Sequence, residues 1–393
     1  MKHLLFILIL MASLCMGACH SRSGQSDFTR YASTLLDSTL SCYRSPRPGL
    51  FNETWPRQAQ EKATYLAGED TLQSDRVAYL WPTSGLFSAL NVLYATTSDL
   101  RYLNLLNEEI LPGLACYYDT VRKPECYQSY LADVGFSDRF YDDNIWLGID
   151  FTETFLLTGD TAYLDCSRQL WHFIESGRDT VLQDGIYWCE QKKRSKNTCS
   201  NAPASVWALK LYSATYDSCY LDAGKTLYDW TRSHLQDPAD HLYWDNISVE
   251  GHIAREKYAY NSGQMLQAAV LLHRLTGEAH YLDEALQVAE ACFHHFFRHE
   301  ADGHFLRNGN VWFVAVMLRG FEELYRQTGD RHYVDAFATS LQQLWQQNRH
   351  AHLLFDDDHL DPQIPVSPRA HKWLLTQAAL IEMFARLGGI PDL

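Results

Sequence analysis

Apolar residues recur three and four positions apart along most of the chain, the spacing of one face of an α-helix, and one repeated turn interrupts them. Five segments share that turn: Thr97-Ser98-Asp99 before Tyr102, Thr158-Gly159-Asp160 before Tyr163, Thr215-Tyr216-Asp217 before Tyr220, Thr276-Gly277-Glu278 before Tyr281, and Thr328-Gly329-Asp330 before Tyr333. Where glycine is present it can end one helix in a left-handed conformation, and the acid that follows suits the positive end of the next helix. Periodicity around these turns predicts twelve helices, near 27–43, 79–97, 99–118, 141–158, 160–177, 201–216, 218–236, 258–276, 279–296, 310–328, 330–346 and 367–387. The repeat is roughly fifty to sixty residues, one helical hairpin with its connections. One alternate set of helices is the more apolar, as an inner ring buried on all sides should be. The pattern therefore predicts an all-α fold, an (α/α)6 barrel of six hairpins spanning 27–390. An open superhelix of hairpins is the alternative.

The two kinds of connection differ. The Thr-x-Asp turns are short, whereas 119–140, 178–200, 237–257, 297–309 and 347–366 are long and carry Trp, Tyr, Asn, Asp and His. In a barrel of hairpins all the long connections fall at the rim where inner helices begin, and long loops on a rigid scaffold are where binding and catalysis usually sit.

At that rim the fourth helix opens Phe140-Tyr141-Asp142-Asp143-Asn144, with Trp146 following. Acids in a first turn are explained by capping alone. Three features favour chemistry: the helix is inner, its start faces the long-loop rim, and aromatic residues surround the pair. Two adjacent carboxylates cannot both stay comfortably ionised, and a proton donor beside an ionised nucleophile is what glycosidic cleavage requires. Trp81, Asn201, Tyr260, Asn261 and Trp312 stand at the other inner-helix starts. Each is compatible with capping or packing; together with Tyr141 and Asn144 they make a rim suited to a neutral polyol.

Charge and composition narrow the partners. A net charge of −15 argues against nucleic acid, and the 11 Trp and 23 Tyr exceed what a core alone usually takes. Met1-Lys2-His3, the apolar run 4–14 and Met16-Gly17-Ala18-Cys19 read as a lipoprotein signal over 1–18, lipidated at Cys19, with 19–26 as a tether. That predicts an exported protein held at the cell envelope by a lipid anchor, and a monomer. Cys189 and Cys199 flank one loop and are a candidate disulfide. His299-Glu300-Ala301-Asp302-Gly303-His304 has the wrong spacing for a zinc helix, so no metal is expected. Phe355-Asp356-Asp357-Asp358-His359 reads as a solvated rim loop or a subsite contact.

The Asp142-Asp143-Asn144 helix, Asp184-Gly185-Ile186-Tyr187-Trp188, the Lys196-to-Pro203 run, Leu242-Tyr243-Trp244-Asp245 and Tyr260-Asn261-Ser262-Gly263 resemble glycoside hydrolase family 76, in that family's order and over nearly the whole mature chain. The resemblance implies a retaining endo-α-1,6-mannanase on an (α/α)6 barrel, acting on α-mannan-like polysaccharide without metal or other cofactor. By it Asp142 would be the nucleophile, Asp143 the general acid/base and Asp245 a hydrogen-bond partner of the sugar, with Trp188 beside them. One departure is Val314, where many members carry a basic residue. Two rivals stand beside this reading. One is another sugar-active enzyme on the same barrel, an epimerase or unsaturated-uronide hydrolase; yet no histidine begins an inner helix. The other is a glycan-binding lipoprotein without catalysis; yet both carboxylates are intact.

Overall fold

The computed structural model describes residues 26–57, 65–67, 77–301, 303–348, 350–365 and 370–393. The expected signal segment, the expected lipidation position Cys19 and Asp302 lie outside these. Each short turn is built by the same three residues. Threonine ends the helix: Thr158 Oγ1 donates to Thr154 O at 2.7 Å and accepts the Asp160 N–H at 3.2 Å, and the other four turns repeat the pattern. The residue after it is left-handed, with φ of 74°, 75° and 76° at Gly159, Gly277 and Gly329. Ser98 and Tyr216 adopt the same conformation at 56° and 58°, a more costly choice for a residue with a Cβ. Asp99, Asp160 and Asp217 then cap the next helix through the backbone N–H two residues on. Glu278, one methylene longer, makes no such bond.

The helices are α1 (Asp27–Tyr43), α2 (Leu80–Thr97), α3 (Leu100–Leu105, continuing through a π-helical turn Leu106–Ile110 into Leu111–Leu114), α4 (Tyr141–Thr158), α5 (Thr161–Glu175), α6 (Thr198–Thr215), α7 (Ser218–Leu235), α8 (Ala259–Thr276), α9 (Ala279–Phe296), α10 (Val311–Thr328), α11 (His332–Gln347) and α12 (Leu374–Gly388). The π turn in α3 directly precedes Pro112, which lacks the N–H and crowds the preceding turn of a regular helix. Each even-numbered helix contacts the next, and α12 contacts both α2 and α1, so the ring closes. The fold is an (α/α)6 barrel and not an open superhelix. At one seam, α8 against α10, glycines permit unusually close approach: a Cβ on Gly320 would lie 2.4 Å from Gly263 O.

Two boundaries differ from expectation. Helix α6 starts at Thr198, so Asn201 lies inside the first turn and is not its cap. Helix α12 starts at Leu374 and not near 367, because Lys372–Trp373 pairs antiparallel with Thr54–Trp55. The long connections also hold short strands. Tyr187–Cys189, Lys192–Asn197, Asn246–Ser248 and Ile253–Ala254 form a four-stranded antiparallel sheet over the rim. Asp356 and Asp357 are not solvated: Asp356 pairs with Lys372 and His350, and Asp357 accepts from Trp373 N and Thr376 Oγ1 at the head of α12.

The C-terminal halves of the inner helices enclose ions instead of hydrocarbon. Glu382 accepts from Arg319 Nε at 2.7 Å, Arg319 Nη2 at 2.8 Å and Arg386 Nε at 2.8 Å. Arg386 Nη1 reaches Glu322 at 2.7 Å, Lys210 reaches Glu153 at 2.9 Å, and Arg274 reaches Glu323 at 2.9 Å. Burial opposes the charge on Glu153, but Lys210, Arg386 and Arg319 pull it down to about 2.

Candidate active site

The fourth residue of an inner helix fixes the loop that precedes it. In α4, Asn144 Oδ1 accepts Tyr127 N at 2.8 Å while Nδ2 donates to Tyr127 O and Phe140 O, both at 2.9 Å. In α6, Asn201 clasps Ile186 N and O at 2.6 and 2.9 Å and donates to Asn197 O at 2.8 Å. Gln377 of α12 treats Phe355 the same way, and Ser262 of α8 accepts Tyr243 N at 3.0 Å. Buried loop backbone must find hydrogen-bond partners, and these side chains supply them. Asn144 and Asn201 are fully buried and spent on backbone, so neither reaches a ligand, contrary to the expectation from sequence. Tyr141 also turns away. It stacks on Phe173 of α5 at 4.6 Å, under Gly177.

With the loops pinned, the inner-helix starts surround a cavity of about 390 Å³, within the range of small-ligand sites. Asp142, Asp143, Trp81, Trp188, Asp245, Tyr260 and Trp312 line it, together with Trp146, Tyr65, Cys199, Asn197 and Phe313. Tyr260 and Phe313 stack with centroids 4.0 Å apart and an interplanar angle of 5°. Trp312 meets Trp81 edge-on at 5.1 Å and Trp146 at 5.0 Å. The Arg319 guanidinium lies 5.7 Å from the Trp146 ring, so the ion network supports the cavity floor. Asn261, expected from sequence to meet the ligand, is fully buried and does not line the cavity; its side chain interacts with the Asp245 carboxylate instead.

The two carboxylates sit in different electrostatic surroundings. Asp142 accepts three hydrogen bonds: Oδ1 from Asp143 N at 3.1 Å, Oδ2 from Trp188 Nε1 at 3.1 Å and from Cys199 Sγ at 3.4 Å. The Asp143 carboxylate accepts none among the described residues. Burial pushes Asp142 up to about 7 against the pull of those donors. Burial, and then the charge on Asp142, hold Asp143 well above the usual carboxylate range. Burial and mutual repulsion therefore favour a proton held by the pair, and the donors around Asp142 favour its sitting on Asp143. Asp245, whose Oδ2 accepts from Asn246 Nδ2 at 2.8 Å, is also raised by burial.

This arrangement has a thermodynamic consequence. A carboxylate whose folded pKa lies above its unfolded value of about 4 costs stability increasingly as pH rises past 4. Asp143→Asn removes that cost. Its thermal midpoint should exceed the wild type's at pH 7 and coincide with it near pH 4; a midpoint lowered at both values would mean the carboxylate is a stabilising cap.

Sequence reasoning overlooked Cys199, Tyr65, Asn197 and Phe313. For Cys199 and Phe313 a signal existed, since each directly follows or lies within the first turn of an inner helix. Tyr65 comes from the connection before α2 and carried none. The candidate disulfide is not formed: Cys189 and Cys199 are both free thiols. His299 and His304 face each other across the hairpin Phe297–Glu300 with Gly303–Leu306, and among the described residues no group of three His, Cys, Asp or Glu is placed to hold a metal.

The glycosyl hydrolase family 76 pattern matches residues 31–351. A family 76 mannosidase from Bacteroides thetaiotaomicron superposes with a TM-score of 0.83 at 30% identity, covering 93% of this chain and 98% of that one. An α-1,6-mannanase from a Salegentibacter species superposes at 0.73 with 25% identity, over 92% and 98%. An inactive variant of that mannanase, with two consecutive aspartates changed to alanine, was solved with α-1,6-mannotetrose; it superposes at 0.74, with 25% identity over 92% and 99%. A Schizosaccharomyces pombe protein named provisionally as a mannan endo-1,6-α-mannosidase is 24% identical over 212 residues, which are 51% of this chain and 46% of that protein. The chain thus spans about half the length of that curated relative. A pattern running through most of the sequence, on a barrel that superposes nearly end to end on a solved member, places this chain in glycosyl hydrolase family 76.

Proposed function

We propose that the chain hydrolyses α-1,6-linked mannan by retaining double displacement, with Asp142 as nucleophile and Asp143 as general acid/base. One observation carries the assignment of roles: among the described residues the donors all point at Asp142, and the Asp143 carboxylate accepts none and is suited to hold a proton. An ionised, oriented carboxylate attacks the anomeric carbon while its protonated neighbour donates to the departing oxygen. After departure Asp143 is a base for the incoming water. Adjacent residues in one helical turn suit the separation of about 5 Å used by retaining pairs, which need no water layer between nucleophile and sugar. The aromatic walls formed by Trp81, Tyr260, Phe313 and Trp312 suit sugar faces, and Asp245 suits sugar hydroxyls. The mannotetrose complex of the Salegentibacter relative, captured with two consecutive aspartates replaced, supports both substrate and pair. Linear α-1,6-mannan should yield oligosaccharides on chromatography, with α-1,2- and α-1,3-linked mannans left intact. Cleavage of only the latter, or binding without cleavage, would overturn the reading.

We also propose that the protein is exported, lipidated at Cys19 and monomeric. Ser26 lies against the end of α12, with Oγ 3.4 Å from Gly388 O, on the face opposite the cavity. A tether leaving there would present the cavity away from the membrane. Among the described residues no helix is long and apolar enough to cross one. Cys19→Ala should move the protein from the membrane fraction to the soluble one; unchanged partitioning would sink the anchor.

A further inference from the structure

Cys199 is the second residue of α6, 3% exposed, lining the cavity with Sγ 3.4 Å from Asp142 Oδ2. It donates to the same oxygen as the Trp188 indole, so two donors from different elements converge on one lone-pair region. Its supposed partner Cys189 faces Gln191 instead, at 3.9 Å. We propose that Cys199 is a positioning residue, whose S–H, with the Trp188 N–H, holds the Asp142 carboxylate charged and oriented for attack, and which stays a free thiol. The proposal rests on Asp142 being the nucleophile.

The groups around Asp142 decide what the sulfur can be. Asp143 shares its helix, Tyr260 approaches from α8, and Asp245 comes from just before the rim strand Asn246–Ser248. Burial first, then the negative charges of Asp142 and Asp245, drive the thiol well above its ordinary pKa. Sulfur beside two carboxylates is therefore a thiol and a donor, never a competing anion. A thiol with so little thiolate is also a poor target for oxidants, which matters for a protein proposed to be exported. Oxidation to a disulfide with Cys189 would remove the donor from Asp142.

Cys199→Ala and Cys199→Ser separate orientation from packing. Loss of the weak S–H donor should lower kcat/KM on α-1,6-mannan about three- to tenfold, mostly through kcat. Removing a donor to the charged form raises the Asp142 pKa, so the acid limb of the pH profile should move upward by about half to one unit. Serine, which keeps a donor, should return both toward wild type. A purely structural cysteine would lower the thermal midpoint without moving the limb. Peptide mapping without reductant should find Cys199 free. A Cys189–Cys199 disulfide, or a Cys199→Ala profile that superimposes on wild type, overturns the proposal. Should wild type fail to cut mannan, the functional reading falls separately. The titration of the ¹³C-labelled Asp142 carboxyl in wild type and Cys199→Ala then still decides, with a higher midpoint in the variant supporting the role and an unchanged one refuting it.

Discussion

Asp142→Ala should abolish mannan cleavage, a loss on the order of 10⁴-fold or more, and added azide should restore turnover only by forming a β-glycosyl azide. Azide fits the space left by the carboxylate and attacks the face that Asp142 would have used, so a single displacement inverts the anomeric centre. Asp143→Ala should behave differently. Polysaccharide, whose leaving oxygen needs a proton, should lose roughly 10²–10⁴-fold, while an activated aryl mannoside should lose far less. Azide should then give product of retained configuration, because it replaces water in the second step. The contrast follows from the donors around each carboxylate among the described residues: three on Asp142, none on Asp143. Equal losses on both substrates with no azide product from either variant would return the pair to helix capping.

The second large effect is on stability. Glu382→Ala should cost roughly 3–5 kcal/mol in urea unfolding, because it takes from the buried Arg319 its carboxylate partner and leaves the buried Arg386 with Glu322 alone. Burial opposes ionisation of Glu382, but the two guanidiniums hold it below the usual range. Its contribution is therefore present above the unfolded pKa near 4 and lost as pH falls through the folded value. Since Arg319 also supports Trp146, the folded fraction should bind oligosaccharide less tightly. A cost under about 1 kcal/mol would show that the network relaxes or admits water.

Much of this was legible along the chain because it is local. The Thr-x-Asp turns encode their geometry in three consecutive residues, and they mark five of the six hairpins, the chain direction and the functional rim. The carboxylate pair was legible for the same reason, being adjacent in sequence at the head of α4. The roles of Asn144 and Asn201 were not, since an amide at a helix start has the same appearance whether it meets a sugar or a loop. What distinguishes them is that the residues they clasp, Tyr127 and Ile186, lie 17 and 15 positions upstream. The place of Cys199 was hidden for a related reason: proximity to Cys189 along the chain left a disulfide open, while α6 turns the sulfur toward α4. The buried ions were hidden because Arg319, Glu322 and Glu323 look like an exposed helical face until the barrel closes around them.

The central claim is that Asp142 and Asp143 cut α-mannan with retention. It is tested most directly by following linear α-1,6-mannan digestion by ¹H NMR in the first minutes, before mutarotation mixes the anomers. New reducing ends should appear as the α-anomer, with β-signals growing only later. Reducing ends that appear first as the β-anomer would contradict it.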